Sequence, residues 1–303
     1  MSAEKSNKKR IAFIINPISG TNNKSDIRAK IENYFSETEI DIDTIVTKRP
    51  GDATRFAGQF VREFFDAVIA VGGDGTVNEV ANGIRGGNIA MGIIPSGSGN
   101  GFARHAHIPL KTEEALKVIS DFFTIDVDTM IINNKVSVNV SGVGFDAMVA
   151  DKFQKSSKRG LSSYAKIIIA ELPKYKAQNY SISIDGEQIE REAFLISFAN
   201  SSQFGNNAYI SPEASVTDGL IDLCIVKKFN KLESPIFAQK LMFGNIHKSK
   251  YVEIIRAKEI IIKQQSDVYH LDGDAMYNGE NLKISISQGA LKMIIPQNSK
   301  DKI

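Results

Sequence analysis

Two glycine-rich turns, each lying between an apolar run and a helical pattern, constrain the fold of this chain more than any other feature. The first turn, Gly72-Gly73-Asp74-Gly75-Thr76, follows the apolar run Phe64 to Val71. The second, Pro95-Ser96-Gly97-Ser98-Gly99-Asn100, follows a run that starts at Asn88. Continuous apolar runs are typical of strands buried in a parallel sheet. Glycines let backbone N–H groups approach a polyanion, and a following helix adds unpaired donors. We therefore expect both turns to converge on one set of phosphates.

A third unit of the same kind precedes both turns. The strand pattern Arg10 to Ile15 is followed by the loop Asn16-Pro17-Ile18-Ser19-Gly20 and by a helical pattern from Ser25 to Phe35. In the unit that follows the first glycine turn, Thr76 and Glu79 have the spacing of a capping box, which predicts that a helix starts there. Three strand, loop and helix units predict an open parallel sheet whose ligand crevice lies beyond the carboxyl ends of its strands.

The glycine turns match neither common nucleotide fingerprint. No Lys-Ser or Lys-Thr pair closes a glycine loop as in a P-loop, and no G-x-G-x-x-G opens the first helix. A helix end contributes only about 0.3–1 kcal/mol toward binding an anion. Several amides plus a divalent cation are therefore expected to neutralise the phosphates, and Asp74 is the carboxylate at hand to hold that cation.

The segments Gly72 to Glu79 and Pro95 to Arg104 resemble the catalytic domain of the diacylglycerol kinase and sphingosine kinase superfamily, in particular its bacterial lipid kinases. Other motifs follow in the family's order, namely Asn16-Pro17 with Ser19-Gly20, Thr47 before Gly51-Asp52-Ala53, Asp218-Gly219-Leu220 and Leu271-Asp272-Gly273. The resemblance implies an α/β N-terminal domain with a parallel sheet, of the NAD-kinase and diacylglycerol-kinase type. It also implies a β-rich C-terminal sandwich or barrel and ATP-dependent phosphorylation of a lipid hydroxyl in the cleft between them.

The resemblance further implies a nucleotide site assembled from the loops that follow the strands. Threonine and serine hydroxyls can donate to phosphate oxygens, asparagine amides can orient them, and Asp74 can hold Mg²⁺ directly or through water. The implied site comprises Asn16, Thr47, Gly72, Gly73, Asp74, Gly75, Thr76, Asn78, Gly97, Ser98, Gly99 and Asn100. Two plainer interpretations stay open, Asn16-Pro17 as a turn and Thr76 as a helix cap.

Phosphoryl transfer also needs a base for the attacking hydroxyl. The family's usual segment reads Asp-Gly-Glu, whereas this chain has Asp272-Gly273-Asp274, so Asp274 takes the Glu position with a shorter side chain. The resemblance implies that Asp274, together with Asp74, is catalytic. A misplacement near 1 Å can cost about 10²-fold in rate, so a loop adjustment, a bridging water or help from Asp74 would be required. Alternatively, Asp272-Gly273 is only the I′ turn of a hairpin.

A second Mg²⁺ site is implied in the C-terminal domain, at the segment Ser215 to Leu220. Asp218 is its one ionisable side chain, and Ser215 and Leu220 would add main-chain oxygens, which hard cations accept. The alternative is a β-turn that leads into a strand from Leu220 to Lys227.

Length and strand density predict two domains. The chain has 303 residues, of which 42% are hydrophobic, enough for a substantial core. We expect an α/β domain over residues 1–126 and a β-rich domain over 127–289. The resemblance implies that the first domain binds the nucleotide, that residues 290–303 complete it, and that the second domain binds the lipid substrate. The last strands are expected at 282–287 and 291–295, and residues after Pro296 are expected to be frayed.

Composition predicts a cytoplasmic protein, which would meet the lipid acceptor implied by the resemblance at a membrane surface. The chain has one cysteine, no apolar segment near Met1 and no apolar run of about 18 residues. A net charge of +2 argues against nucleic acid as a partner. Residues 152–166 carry a run of cations without an acid, namely Lys152, Lys155, Lys158, Arg159 and Lys166. Two interpretations stay open for this run, a solvated surface, as most charge runs are, and a contact with anionic lipid.

Two other functions stay open. An NAD kinase would share the Gly-Gly-Asp-Gly-Thr turn and the two-domain plan, and a catalytically weak nucleotide- or lipid-binding protein would explain Asp274 in place of Glu. The lipid acceptor is also open among diacylglycerol, a sphingoid base and other lipid alcohols, because pocket shape depends on residues far apart in sequence. The oligomeric state is open as well, a homodimer included.

Overall fold

A computed structural model of the chain describes residues 8–20, 25–156 and 160–303. Strands and helices alternate in the first part, as β1 (Lys9–Ile15), α1 (Ser25–Phe35), β2 (Ile40–Val46), α2 (Asp52–Arg62), β3 (Ala67–Gly72), α3 (Asp74–Ile84), β4 (Ala90–Pro95), α4 (Gly101–His105) and α5 (Thr112–Asp121).

The remainder of the described chain is rich in strands. Its elements are β5 (Thr124–Ile132), β6 (Lys135–Ser137), β7 (Val140–Gly144), α6 (Phe145–Lys155), α7 (Leu161–Glu171), β8 (Gln178–Ile184), β9 (Glu187–Ala199), β10 (Ile221–Lys227), α8 (Ser234–Met242), β11 (Val252–Ala257), β12 (Glu259–Lys263), β13 (Tyr269–Leu271), β14 (Asp274–Met276) and β15 (Asn281–Ile294). Short 3-10 turns occupy Lys231–Glu233, Ile246–Lys248 and Gln297–Lys302.

The first four strands form a parallel sheet in the order β2, β1, β3, β4. Strands β3 and β4 are buried along their whole length, as apolar strands covered on both faces should be. Because all four strands run the same way, the loops after them meet at one edge of the sheet. The predicted fold class, a parallel α/β sheet followed by a β-rich domain, is confirmed.

The unit made by β2 and α2 was not predicted from the sequence. Strand β2 lies at the edge of the sheet and pairs only with β1, and most of its residues are partly or fully exposed. An edge strand therefore lacks the continuous apolar run that marks its neighbours. This unit matters for the site because Thr47 directly follows β2.

The predicted capping box at the start of α3 is wrong. The helix starts at Asp74, and Gly73 stands at its N-cap without a side-chain hydrogen bond. Glu79 instead accepts hydrogen bonds from Gly51 N and Ala53 N, each at 3.0 Å. Its carboxylate thus satisfies unpaired donors at the start of α2, and it ties α2 to α3.

Strand β15 joins the two parts of the molecule. Its first half pairs antiparallel with β12, whereas Lys292 and Met293 pair parallel with β4. The two strands predicted for this region are one, since the pairing with β5 continues through a register shift between Ser287 and Leu291. Gly289 lies in that shift with φ +57°, where glycine relieves the strain of a bulge. Backbone pairing consequently continues from one part to the other.

The prediction that residues after Pro296 are frayed is wrong. Ile303 is only 6% exposed and packs in the same apolar core as Met293. The backbone oxygen of Ile303 accepts hydrogen bonds from the hydroxyls of Ser215 (3.0 Å) and Thr217 (3.2 Å). The expected domain boundary after residue 126 lies inside β5, a strand common to both parts. The division into 1–126 with 290–303 and 127–289 stays a proposal.

The helices of the C-terminal part cover its strands unequally. α6 buries five residues, whereas α7 and α8 bury none, although both contact an apolar cluster centred on Phe145 and Phe194. α7 and α8 therefore keep a large share of their surface exposed.

No helix in the described ranges is long and apolar enough to cross a membrane.

Candidate active site at the glycine turns

The two glycine-rich turns pack against each other, backbone to backbone. Ser96 N donates to Gly72 O at 2.8 Å. A β-carbon on Gly73 would lie 3.0 Å from Cα of Gly97, and one on Gly97 would collide with Cα of Gly73. This approach requires glycine on both sides, because a side chain at either position would separate the turns.

The loop after β1 joins the same contact. Asn16 Nδ2 donates to Thr76 Oγ1 at 3.0 Å, and a β-carbon on Gly20 would collide with Ser96 O. Asn16 Oδ1 also accepts from Ile18 N at 3.1 Å, so this asparagine does shape a turn. The side-chain amide of Asn16 therefore stabilises its own turn and also links that turn to α3.

Thr47 and Ser98, predicted as phosphate donors, differ in exposure. Thr47 is buried, and its hydroxyl lies 3.4 Å from Ile15 O. Ser98 is exposed at the tip of the second glycine turn. Asn100 gives that turn its shape, because its Oδ1 accepts from Gly97 N and its Nδ2 donates to Gly97 O, both at 2.9 Å. Ser98 is thus the hydroxyl most open to a ligand.

Asp74 is a partly buried carboxylate near the second glycine turn. It begins α3, and its Oδ1 accepts from Phe102 N at 3.4 Å. Burial raises the pKa of Asp74 to about 6, with a further contribution from the charge of Asp272. No lysine or arginine is among the main groups that set this pKa in the described part of the chain. A desolvated carboxylate of this kind fits a divalent cation, for which oxygen ligands are preferred.

Asp274 reaches the same helix end from the other part of the molecule. It follows a two-residue turn in which Asp272 (φ +49°) and Gly273 (φ +95°) both have positive φ, the signature of a I′ hairpin. A β-carbon on Gly75 would lie 3.0 Å from Asp274 Oδ2. The hairpin interpretation and the site interpretation are therefore compatible, since the turn brings Asp274 to the start of α3.

The carboxylate of Asp272 holds this hairpin in place. Its Oδ1 accepts from Ser137 Oγ (2.6 Å) and Asn139 N (3.0 Å). Its Oδ2 accepts from Val138 N (2.9 Å) and Asn78 Nδ2 (2.8 Å). Burial raises the pKa of Asp272 despite these bonds. Asn78, predicted to orient phosphate, therefore uses its amide within the protein to attach α3 to the hairpin.

An Asp146–His270 pair behind the hairpin was not predicted. His270 Nδ1 accepts from Gly273 N at 3.3 Å, which assigns the ring proton to Nε2. Nε2 then donates to Asp146 Oδ2 at 3.1 Å. Ser197 Oγ donates to the same carboxylate oxygen at 3.2 Å. His270 lies in β13 and supports the turn that follows it, because its ring accepts from the backbone of Gly273.

A segment at residues 203–209 supports the second glycine turn and was also missed. Asn206 N donates to Gly99 O at 3.2 Å, and Arg104 Nε donates to the same oxygen at 3.1 Å. Gly205 has φ +121°, and a β-carbon there would lie 2.9 Å from Gly99. The run Phe-Gly-Asn-Asn was the available signal, since glycine and asparagine favour positive φ.

The predicted second Mg²⁺ site at Ser215, Asp218 and Leu220 has the geometry of a turn. Asp218 Oδ1 accepts from Leu220 N at 3.0 Å. The adjacent Gly219 N donates to the buried carboxylate of Asp128 at 2.7 Å. Within the described ranges, no group of three or more His, Cys, Asp or Glu side chains is placed to hold a metal. A cation held mainly by main-chain oxygens does not need such a group of side chains, so this site stays a prediction.

Two cavities lie away from the glycine turns. One, of about 260 Å³, lies between the end of α3 and β15 and is lined partly by Arg85 and Leu291. The other, of about 210 Å³, lies beneath α8.

The predicted run of cations at 152–166 is partly neutralised, because Lys152 pairs with Glu171 at 2.8 Å. Lys155 pairs likewise with an aspartate, and Lys158 and Arg159 lie outside the described residues.

The sequence matches two family models and many known proteins. A family model described as the diacylglycerol kinase catalytic domain matches residues 10–132, and one described as the YegS C-terminal NAD kinase beta sandwich-like domain matches residues 139–295. A diacylglycerol kinase of Staphylococcus saprophyticus is 30% identical over 281 residues, which are 90% of each chain. One of Staphylococcus aureus (strain Newman) is 32% identical over 281 residues, 90% of this chain and 88% of its own.

Solved structures share the fold. A crystal structure of a diacylglycerol kinase from Bacillus anthracis superimposes with a TM-score of 0.74 at 24% identity, covering 97% of this chain and all (100%) of that one. A second crystal structure from the same organism reaches a TM-score of 0.81, also at 24% identity, over 98% of this chain and 100% of its own. At this identity, the likeness concerns the fold alone.

Proposed function

This chain belongs to the diacylglycerol kinase family, and from that premise we propose that it is an ATP-dependent lipid kinase. In this proposal, the γ-phosphoryl group of ATP is transferred to the hydroxyl of a lipid alcohol. Diacylglycerol is the acceptor we favour, because the relatives that match along nearly the whole chain are named for it.

The observation that carries the proposal is the proximity of Asp274 to Gly75. The first N–H groups of α3 have no partner within the helix, and they are suited to bind phosphate oxygens. A β-carbon added to Gly75 would lie 3.0 Å from Asp274 Oδ2, so this carboxylate lies beside the first turn of α3. A base must lie close to the phosphate group that the hydroxyl attacks, and a carboxylate beside a phosphate-binding helix end meets this requirement. The two parts of the molecule thus contribute to one reaction centre.

The chain's residues take distinct roles in this mechanism. The start of α3 and the turn Gly97 to Gly99 bind the phosphates, and Ser98 donates from the exposed tip of that turn. Asp74 holds Mg²⁺, which when bound neutralises phosphate charge. The pKa of Asp74, raised to about 6 mainly by burial, supports this role, because no lysine or arginine of the described residues is among the main groups that set it.

Asp274 acts on the acceptor. Its carboxylate takes the proton of the lipid hydroxyl as that oxygen bonds to the γ-phosphorus, and the bond from phosphorus to the bridging oxygen breaks to release ADP. Aspartate is shorter than the family's glutamate, yet its carboxylate lies beside Gly75 at the start of α3. Asp272 supports that placement through its hydrogen bond to Asn78.

The test is phosphate transfer by the purified protein. Radiolabelled ATP and Mg²⁺ are offered with diacylglycerol, monoacylglycerol and a sphingoid base in mixed micelles, and separately with NAD. The expected result is a labelled lipid phosphomonoester, which the variant Asp274→Asn does not form. Labelled NADP would instead show an NAD kinase, and nucleotide binding without any labelled product would show a binding protein. Mass spectrometry after incubation with a total lipid extract identifies the preferred acceptor.

A further inference from the structure

The helix α8 and the turn before it present an apolar stripe to solvent. Leu232 is 86% exposed, Ile236 56% and Phe243 72%. Ile236 lies on α8, Leu232 in the 3-10 turn that leads into it and Phe243 directly after its last residue, so the exposed apolar side chains extend from one end of the helix to the other. We call the stripe, with the lysines around it, the α8 surface. Exposed apolar groups gathered in this way mark an interaction site more often than isolated ones do.

The opposite side of α8 is anchored to the protein. Phe237 stacks on Phe229 with ring centroids 5.1 Å apart and an interplanar angle of 7°. Leu241 packs in the same apolar cluster, and its backbone oxygen accepts from Tyr209 N at 2.9 Å. The orientation of the helix is therefore set by its inner side, which leaves the outer stripe directed at solvent.

Positive charge is concentrated around this stripe. Residues 227–250 contain a single acid, Glu233, and six lysines, namely Lys227, Lys228, Lys231, Lys240, Lys248 and Lys250. The whole chain, in contrast, is nearly balanced, with 37 lysines and arginines against 35 aspartates and glutamates. Lys227 and Lys228 pair with acids on neighbouring strands, Glu253 and Glu192, so the excess positive charge of the segment lies with the other four lysines.

Two of the three lysines nearest the stripe donate to uncharged oxygen atoms, and the third, Lys250, is attracted by the charge of Glu233. Lys240 Nζ donates to Lys248 O at 3.2 Å, and Lys248 Nζ donates to Asn245 Oδ1 at 3.0 Å. Lys250 lies over the ring of Tyr251, 4.8 Å from its centroid. These three lysines border the cavity of about 210 Å³ beneath α8, whose floor includes the aromatic rings of Phe229, Phe237 and Tyr251. Glu233 is the one acid in this lining, and an apolar floor with a mainly cationic rim suits a ligand that is itself apolar with anionic groups at its border.

We propose that the α8 surface docks this protein on an anionic phospholipid bilayer. A helix with an apolar side and flanking lysines binds at a membrane interface, where its apolar groups enter the acyl region and its cations meet anionic headgroups. A second copy of the chain is disfavoured on this surface, because two lysine rims would face each other. The proposal deepens the proposed lipid kinase function by naming the surface that meets the bilayer, but docking itself is measured without turnover.

The α8 surface is connected to the candidate active site through one short segment. Tyr209 bonds to the end of α8, and Asn206 of the same segment bonds to Gly99 in the second glycine turn. Arg104 Nη1 adds a bond to Asn207 Oδ1 at 3.4 Å. Docking therefore occurs one loop away from the predicted phosphate site.

Vesicle sedimentation tests the docking. The full chain is mixed with phosphatidylcholine vesicles and with vesicles that also contain phosphatidylglycerol. We expect binding to the anionic vesicles that weakens with salt. The triple variant L232S/I236S/F243S should bind at least about tenfold less tightly, since buried apolar area drives the insertion. The variant K240Q/K248Q/K250Q should lose the preference for anionic lipid. Phe64→Ser is the matched control, because Phe64 is 87% exposed but lies outside the α8 surface.

The outcomes separate docking from catalysis. Unchanged vesicle binding in both multiple variants overturns the docking proposal, even if the protein phosphorylates lipid. Weakened binding in them, with the control unchanged, supports it, even if no turnover is found. A concentration-dependent dimer in analytical ultracentrifugation that L232S/I236S/F243S dissociates, without an effect on vesicle binding, would also overturn it. Where the kinase is active, the variants should lose activity on vesicle-embedded acceptor and keep it on a short-chain acceptor in solution.

Discussion

Asn78 and Asp272 are joined by a 2.8 Å hydrogen bond from Nδ2 to Oδ2, although 194 positions separate them in the chain. This bond attaches the β13–β14 hairpin to the helix whose first turn is the predicted phosphate site. The placement of Asp274 relative to α3 therefore depends on the carboxylate of Asp272, which does not itself need to touch a substrate.

Replacing Asp272 by asparagine should destabilise the fold. Four donors face the carboxylate, so an amide NH₂ would oppose at least one of them and leave it unsatisfied. We expect the free energy of unfolding to fall by about 1–3 kcal/mol, measured by urea denaturation. The turnover number should fall as well, because the hairpin shifts. An unchanged denaturation midpoint would contradict this role.

Replacing Asp274 by asparagine should affect rate without affecting stability. The amide cannot accept the hydroxyl proton, so we expect kcat to fall about 10²–10⁴-fold while ATP affinity is retained. Calorimetric titration of nucleotide and steady-state kinetics measure the two effects. Asp274→Glu restores the family's residue and should retain activity or increase it. Full turnover by Asp274→Asn would place the base elsewhere.

Replacing Gly75 by alanine tests the contact between the two parts of the molecule. The new methyl group would lie 3.0 Å from Asp274 Oδ2 and displace it by a few tenths of an ångström. We expect kcat to fall about tenfold or more, because catalysis is sensitive to small misplacements. Gly58→Ala is the control, since that helical glycine has its nearest neighbour, Gly83 O, at 3.4 Å. Equal kinetics for the two variants would count against the assigned geometry.

The raised pKa of Asp74 predicts a pH-dependent need for Mg²⁺. Below its pKa of about 6, the metal-free carboxyl is protonated, so Mg²⁺ must compete with a proton. The Mg²⁺ concentration for half-maximal rate should therefore rise as the pH falls through 6. Kinetics at graded Mg²⁺ concentrations and pH values measure this effect, and a requirement that is constant between pH 5 and 7 would argue against Asp74 as the ligand.

The same pKa predicts how stability depends on pH. In the unfolded chain Asp74 titrates near its ordinary pKa, so the folded protein binds one more proton between that value and about 6. This contribution to stability is present at lower pH and is lost as the pH rises through 6. Urea denaturation of the metal-free protein should show it, and Asp74→Asn should remove it. Added Mg²⁺ should restore stability above pH 6 in the wild-type chain only.

The local features of the sequence were sufficient to predict the general fold. Buried strands such as β3 and β4 are continuous apolar runs, and glycine-rich turns mark where they end, so the parallel sheet and its loops could be read from neighbouring residues. The edge strand β2 was missed because partial exposure removes that pattern. The long strand β15 was divided in two because its bulge at Gly289 looks like a turn.

Only the tertiary structure decided which side chains meet at the candidate site. The sequence by itself pointed to the glycine turns, Asp74 and Asp274, because backbone conformation and motif order are encoded by residues close together in the chain. The contacts of Asp272 with Asn78, of His270 with Asp146 and of Asn206 with Gly99 join residues more than 100 positions apart. Such partners are selected by packing of the whole chain, which brings distant groups together to satisfy buried hydrogen bonds and exclude water.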